Sequence, residues 1–169
     1  MTIRSAALLL AMVATGLQAG TYYIFVYGVM PGLALGADRT YVAAMQQFNV
    51  SFMNPWFFAT FLGAPLLALV AVVSNRRTRP TLLWAVVGFL FAAATFWITI
   101  VVHTPLNDAL DAAGAPEAIA DLSAVRSAHE PAWVPWNVAR MLTSIASLAA
   151  LGCALLTASP PQVRRSRRW

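Results

Sequence analysis

The sequence predicts an all-α fold, a four-transmembrane-helix bundle with short interfacial helices in the two outer loops. Hydrophobic residues make up 60% of the chain and charged residues only 10%, whereas soluble domains average about 25% charged residues. The mean hydropathy is +0.69. Four apolar runs are each about long enough to cross the ~30 Å hydrocarbon core of a bilayer. These observations indicate an integral membrane protein that folds as one small bundle.

The first apolar run raises the alternative of a cleaved signal peptide, because Arg4 precedes an apolar stretch. The run continues through the aromatic segment 22–27, and Leu17-Gln18-Ala19 is a poor cleavage site. We therefore expect a retained helix. The predicted spans are about 5–27, 56–74, 82–103 and 134–157, and together they place a single membrane domain at 1–158 and a basic cytoplasmic tail at 159–169.

Two outer loops separate the spans. We expect Pro31, Gly32 and Gly36 to end the first helix, and Asp38 to cap a short amphipathic helix over 39–53 through its carboxylate. The third helix is expected to end at His103-Thr104-Pro105, and the second outer loop, 106–132, holds most of the acidic residues. This loop is predicted to contain one or two short interfacial helices.

The basic residues predict the orientation in the membrane. All eleven are arginines, and they flank the apolar runs, which favours membrane topology over nucleic-acid binding. Eight of them fall on the side of the termini and two on the other side, and the eleventh, Arg140, lies inside the mouth of the fourth helix. The positive-inside rule then predicts a multi-pass protein of the inner (plasma) membrane with both termini cytoplasmic. The tail arginines are expected to rest on anionic lipid headgroups of the bilayer.

Polar residues recur at helical spacing in the half of the bundle that this topology turns outward. Three stripes follow this spacing: Thr15, Gln18 and Tyr22; Thr95, Thr99 and His103; Asn137, Arg140 and Ser144. Four amides approach the same depth from the loops: Gln46, Asn49, Asn54 and Asn107. The pattern predicts a polar chamber in the outer half of the bundle, although polar side chains in membranes also join helices without any ligand.

Arg140 is the most costly residue in these stripes, since a central arginine costs about 2.5–3.5 kcal/mol to insert. It stays protonated, so it must snorkel to the surface, pair with an acid such as Asp108 or Glu130, or face an enclosed polar space. A fixed cation, an imidazole, several amides and tyrosines at one depth are typical of a small-molecule site in an apolar pocket. Structural hydrogen bonding between helices remains the alternative.

His103 is either an interfacial hydrogen-bonding residue, a catalytic base or a ligand, and His129 is the only other histidine. Their separation matches no metal-ligand spacing, so no metal site is predicted. No phosphate loop, nucleophile elbow or HExxH motif occurs. Most tryptophans lie near span ends, as in an aromatic belt: 56, 84, 97, 133 and 136.

Five segments, taken in order, resemble the anthrone oxygenase-like family of four-helix membrane proteins. The resemblance covers about residues 8–156. His103 departs from the family pattern, where an asparagine or a small residue is expected. The segments are Val29-Met30-Pro31-Gly32-Leu33, Met45-Gln46-Gln47-Phe48-Asn49, Asn54-Pro55-Trp56-Phe57, Thr104-Pro105-Leu106-Asn107-Asp108 and Trp136-Asn137-Val138-Ala139-Arg140.

The resemblance implies cofactor-independent oxygenation of anthrone- or quinol-like aromatics, in which a deprotonated substrate reacts with O₂. Such a site needs a base, a clamp for the developing oxyanion and a water-poor pocket. His103 is the candidate base and Arg140 the candidate clamp. The substrate-binding residues expected around them are Asn49, Asn54, Asn107, Trp136, Asn137, Tyr22 and Gln46.

A non-enzymatic role is the alternative. The same chamber would hold a quinone, a lipid or a haem, or the chain would serve as an accessory subunit of a larger membrane complex or as a homo-oligomer. In either case we expect contact with the lipid bilayer and with a small apolar aromatic ligand, and no nucleic-acid partner.

Overall fold

The computed structural model describes residues 3–158. Five helices account for the regular structure of these residues: α1 (Ile3–Ala34), α2 (Asp38–Ser51), α3 (Pro55–Asn75), α4 (Arg79–Ala112) and α5 (Leu122–Ala158). All but α2 are long and apolar enough to cross a membrane. The chain is therefore a multi-pass, four-helix membrane protein, as the sequence predicts. The tail predicted at 159–169 lies outside the described residues.

Neighbouring helices pack in the cyclic order α1, α3, α4, α5. The inner half of the bundle, which holds the chain start and the α3–α4 turn, is built from small residues, mainly alanines such as Ala11, Ala68 and Ala85. Small side chains allow helix backbones to approach closely in membranes, where dispersion contacts rather than the hydrophobic effect hold helices together.

The outer half is built from larger side chains. Helix α2 lies across this end and packs on α5 and on the outer part of α4. Its buried residues Tyr41, Val42 and Met45 meet Phe25 and Trp133. Bulky aromatic residues hold the helices further apart here, and the space between them forms a cavity.

Helices α1 and α4 both continue beyond the prolines expected to end them. Each contains one π-helical turn, Phe25–Val29 in α1 and Thr99–His103 in α4. The amide that follows each turn donates to a carbonyl five residues back, from Met30 to Phe25 and from Thr104 to Thr99. Pro31 and Pro105 then stand in the first turn of the α-segment that follows, where the missing N–H costs little.

Two further expectations about helix ends are wrong. Helix α5 begins at Leu122 rather than near 134, and it contains Pro131 and Pro135. Both prolines are exposed, so the carbonyls that they leave unpaired lie toward the outside of the bundle. Asp38 does not cap α2, since the N-cap is Ala37 and has no side-chain bond. The Asp38 carboxylate instead accepts from Arg126 at 3.0 Å.

Candidate functional site

A cavity of about 240 Å³ lies under α2, between the outer ends of the spanning helices. Its floor is formed by buried residues and its mouth by exposed ones such as Val50 and Asp108. The volume is somewhat smaller than the roughly 300–1,000 Å³ of drug-sized ligand pockets, so the cavity suits a small ligand. Aromatic side chains form most of its walls: Phe25, Phe48, Phe52, Phe57 and Trp133.

Arg140 lies at the floor with only 7% of its surface exposed. Its Nη2 donates to Oδ1 of Asn137 at 2.8 Å, and its Nη1 donates to the Thr99 hydroxyl at 3.4 Å. Its Nε has no hydrogen-bond partner within the part of the chain that the structure describes. Because Arg140 occupies the third helix position after Asn137, both side chains leave the same face of α5.

The Arg140 guanidinium is held between aromatic rings rather than by an acid. It lies 4.5 Å from the centre of the Tyr22 ring and 5.4 Å from that of Trp133, within the range of a cation–π contact. Among residues 3–158, no carboxylate forms an ion pair with it, because Glu130 pairs with Arg126 at 2.6 Å. Of the alternatives that the sequence left open for Arg140, pairing with Asp108 or Glu130 does not occur among the described residues. A buried guanidinium without a counter-ion favours a ligand oxygen on which negative charge can develop.

His103 lines the same cavity and is only 1% exposed. It is the last residue of the π-helical turn in α4, and such turns occur often at functional sites. Neither ring nitrogen makes a hydrogen bond of good geometry to a described residue, although the backbone at Ile98 and Trp133 lies nearby. The imidazole therefore lies in the cavity without a side-chain hydrogen-bond partner among the described residues.

Trp133 contacts both histidines and one of the amides that line the cavity. Its ring packs edge-on against His103, with ring centroids 5.1 Å apart, and is stacked with His129, with ring centroids 6.4 Å apart. Its Nε1 donates to Oδ1 of Asn107 at 3.1 Å. The expectation that Trp133 belongs to an interfacial belt is wrong, since it is buried. Its position four residues before Asn137 places it on the Asn137–Arg140 stripe, which is the signal in the sequence that identifies it.

A second histidine, His129, packs against the Trp133 ring and does not itself line the cavity. The Nδ1 of His129 is 2.8 Å from the Tyr41 hydroxyl, and its Nε2 has no partner. Burial, and to a lesser extent the Glu130 carboxylate, raise the pKa of Tyr41, while Arg126 acts in the opposite direction. The Tyr41 phenol therefore stays neutral and can donate to His129.

The structure brings six of the nine expected site residues to this cavity: Tyr22, Asn49, His103, Asn107, Asn137 and Arg140. The other three lie elsewhere. Gln46 donates to the carbonyls of Leu110 and Gly114, and Asn54 caps α3 by accepting from the Phe57 amide at 3.0 Å. Trp136 is 45% exposed on the outer surface of α5.

Within residues 3–158, no group of three His, Cys, Asp or Glu side chains converges in a way that would hold a metal ion. The polar groups that line the cavity are amides, hydroxyls, one guanidinium, one imidazole and two carboxylates at the mouth. They suit hydrogen bonding to an oxygen-bearing aromatic ligand.

Comparison with known proteins agrees with the resemblance seen in the sequence. The model of a family described as anthrone oxygenase matches residues 48–151. This segment is more than half of the chain, and it includes the end of α2, α3, α4 and most of α5. No curated protein and no solved structure matches the chain. On the family match, the chain belongs to the anthrone oxygenase family.

Proposed function

We propose that the cavity binds an anthrone- or quinol-like aromatic molecule and catalyses its oxygenation by O₂ without a cofactor. One observation carries the proposal, the buried Arg140 guanidinium that lacks a carboxylate partner and shares an aromatic cavity with an unbonded imidazole. Family membership supports the same chemistry. The aromatic walls would hold a flat ring system, and their apolar surface would exclude water from it.

The first chemical step is removal of a proton from the methylene carbon of the anthrone. His103 accepts this proton on a free ring nitrogen, and the C–H electron pair delocalises onto the carbonyl oxygen of the substrate. Arg140 stabilises the resulting oxyanion, which it meets with donors already fixed by Asn137 and Thr99. A cation that is already held in place in an apolar site stabilises the transition state most strongly where negative charge develops.

The carbanion then reacts with O₂. One electron passes to O₂, the radical pair combines to a carbon–oxygen bond, and His103 returns its proton to give a hydroperoxide. Loss of water from the hydroperoxide leaves the second carbonyl group. One oxygen atom enters the quinone and the other leaves as water, so the reaction needs only base, oxyanion stabilisation and O₂.

We also propose that the cavity faces outward and that both termini are cytoplasmic. Arg76, Arg77 and Arg79 flank the α3–α4 turn at the opposite end of the bundle from α2. Arginine-rich connections remain on the cytoplasmic side of bacterial membranes. Ligand would then reach the mouth of the cavity from the outer surface or the outer leaflet.

The test measures anthraquinone formation and O₂ uptake by protein in mild detergent, after subtraction of the reaction without protein. Arg140→Gln should lower the rate by about 100- to 1,000-fold, and His103→Ala by about 100- to 10,000-fold. Arg39→Gln is the matched control, because it removes an exposed arginine on α2 outside the cavity. Full turnover by both site variants would refute the assignment, and binding without turnover by the unmodified protein would favour a non-enzymatic binding role.

A further inference from the structure

The mouth of the cavity has a charge opposite to that of its floor. Asp108 and Asp111 are exposed residues of α4 that line the cavity at its opening, whereas Arg140 is buried at its far end. The Asp111 carboxylate accepts from Nδ2 of Asn49 at 3.1 Å, which connects α4 to α2 across the mouth. Asp108 makes no ion pair within the described residues.

The opposite side of the mouth is apolar. Val50, in the last turn of α2, and Met53, just after α2 ends, line the cavity and are 74% and 69% exposed. A flat ligand in the opening would therefore have one side against these side chains and a polar edge toward the two carboxylates. The unpartnered nitrogens of His103 and Arg140 in the same cavity indicate a ligand independently of the acidic residues.

We propose that Asp108 and Asp111 form a charge filter that admits neutral hydroxylated aromatic ligands and rejects those with a carboxylate at the mouth. The inference rests on the proposed ligand site, and it names the substrate class of that site. A ligand whose ring oxygen meets Arg140 must present its other end to the two carboxylates. Hydroxyl groups there can donate hydrogen bonds to Asp108 and Asp111, while a carboxylate meets two like charges.

The filter is tested by anaerobic binding, which separates recognition from turnover. Three anthrones with the same ring system are compared by equilibrium dialysis, carrying a hydroxymethyl, an aminomethyl or a carboxylate group at one end. We expect the carboxylate to bind at least about tenfold more weakly than the hydroxymethyl compound, which corresponds to about 1.4 kcal/mol. The aminomethyl compound, of similar size but opposite charge, should not be rejected. The discrimination should shrink as salt is raised, because ions screen charges at an exposed mouth.

The variant Asp108→Asn/Asp111→Asn should abolish the difference between carboxylate and hydroxymethyl ligands. The fold should survive, because an asparagine oxygen at position 111 can still accept from Asn49. Glu117→Gln is the matched control, since it removes one outer acidic charge from outside this cavity. Comparison between variants also cancels the different partition of each ligand into micelles.

The filter is overturned if the double variant still binds the hydroxymethyl compound more tightly than the carboxylate compound. It is also overturned if the unmodified protein binds the two compounds equally well. Turnover without discrimination refutes the filter alone. Discrimination without anthraquinone formation refutes the oxygenase proposal and leaves the filter in place. Failure of all three compounds to bind overturns both proposals.

Discussion

The guanidinium of Arg140 lies 4.5 Å from the centre of the Tyr22 ring, and the Tyr22 hydroxyl donates to Oε1 of Gln18 at 2.5 Å. Gln18 in turn donates to the Thr60 hydroxyl on α3 at 2.7 Å. The Tyr22 ring that contacts the guanidinium is thus held in place by hydrogen bonds that connect α1 and α3. A cation–π contact in such a setting contributes about 0.5–2 kcal/mol.

The Tyr22–Arg140 contact is measurable by a double-mutant cycle with Arg140→Gln. We expect a coupling free energy of about 0.5–2 kcal/mol when Tyr22→Leu removes the ring. Tyr22→Phe keeps the ring and removes only the hydroxyl, so it should lose the Gln18 hydrogen bond and little of the coupling. Reversible unfolding in mixed micelles supplies the free energies. Equal coupling for Tyr22→Leu and Tyr22→Phe would show that the ring is not what holds Arg140.

Gly88 lies at a close approach between α4 and α5. A Cβ at this position would lie 2.7 Å from Cγ of Leu151 and 3.4 Å from the Leu151 backbone nitrogen. The Gly88 carbonyl also accepts from the Ser147 hydroxyl at 2.7 Å. We expect Gly88→Ala to destabilise the bundle by about 1–3 kcal/mol, because overpacking forces the helices apart.

Thermal unfolding in mild detergent measures the effect of Gly88→Ala. Gly20→Ala serves as control, since a Cβ at Gly20 meets no heavy atom within 4 Å. Gly88→Ala should cost less stability in a Leu151→Ala background than in the unmodified protein, because that background lacks the side chain that the new methyl group meets. A Gly88→Ala variant as stable as the Gly20 control would contradict the close approach.

Arg126 holds the outer cap together. Its Nη1 donates to the Gly36 carbonyl and to Asp38, each at 3.0 Å, and its Nε pairs with Glu130. Its guanidinium also lies 4.9 Å from the centre of the Tyr41 ring. Arg126→Gln should therefore release the turn between α1 and α2, with a loss of about 1–3 kcal/mol that reflects charge-assisted hydrogen bonds.

Amide hydrogen exchange is the measurement for Arg126→Gln. Faster exchange is expected around residues 36–41, with little change in the alanine-rich inner half of the bundle. Arg39→Gln, an exposed substitution on α2, should leave the exchange pattern unchanged. Uniform acceleration through the whole chain would show instead that Arg126 supports global stability.

We expect the ionisation of Tyr41 to lower the stability of the folded protein at alkaline pH. Burial raises the pKa of this phenol in the folded state, whereas in the unfolded chain it ionises near the ordinary tyrosine pKa of 10.0. Above that pH the unfolded state binds fewer protons than the folded state, so the free energy of unfolding falls as pH rises. The stability is fully present below about pH 9 and is lost progressively above about pH 10.

The check is a series of unfolding measurements between about pH 8 and 11. Tyr41→Phe should be less stable at pH 8, because it loses the hydrogen bond to His129, yet its stability should decline less steeply above pH 10. Tyr27→Phe, at an exposed tyrosine of α1, should keep the slope of the unmodified protein. Parallel pH curves for Tyr41→Phe and the unmodified protein would contradict the role of Tyr41.

The parts of the site that follow helical spacing could be predicted from the sequence. Gln18 and Tyr22 lie on one buried stripe of α1, and Asn137 and Arg140 share one face of α5. Spacing predicts these sets because every residue of a helix has a fixed direction relative to its neighbours. The amides of the loops were less predictable. Asn49 reaches the cavity, whereas Asn54 caps a helix, and both choices depend on contacts that spacing alone does not contain.

The sequence by itself determined the membrane bundle, its four apolar helices and the collection of polar residues at one end of the bundle, because hydrophobicity, length and helical periodicity are local properties of the chain. Only the tertiary structure decided which groups pair. Glu130 and Asp38 bind Arg126, and this leaves Arg140 without an acid between two aromatic rings. The π-helical turns likewise carry α1 and α4 past their prolines. Partner choice is a competition between groups distant in sequence, so it is settled only when the helices pack.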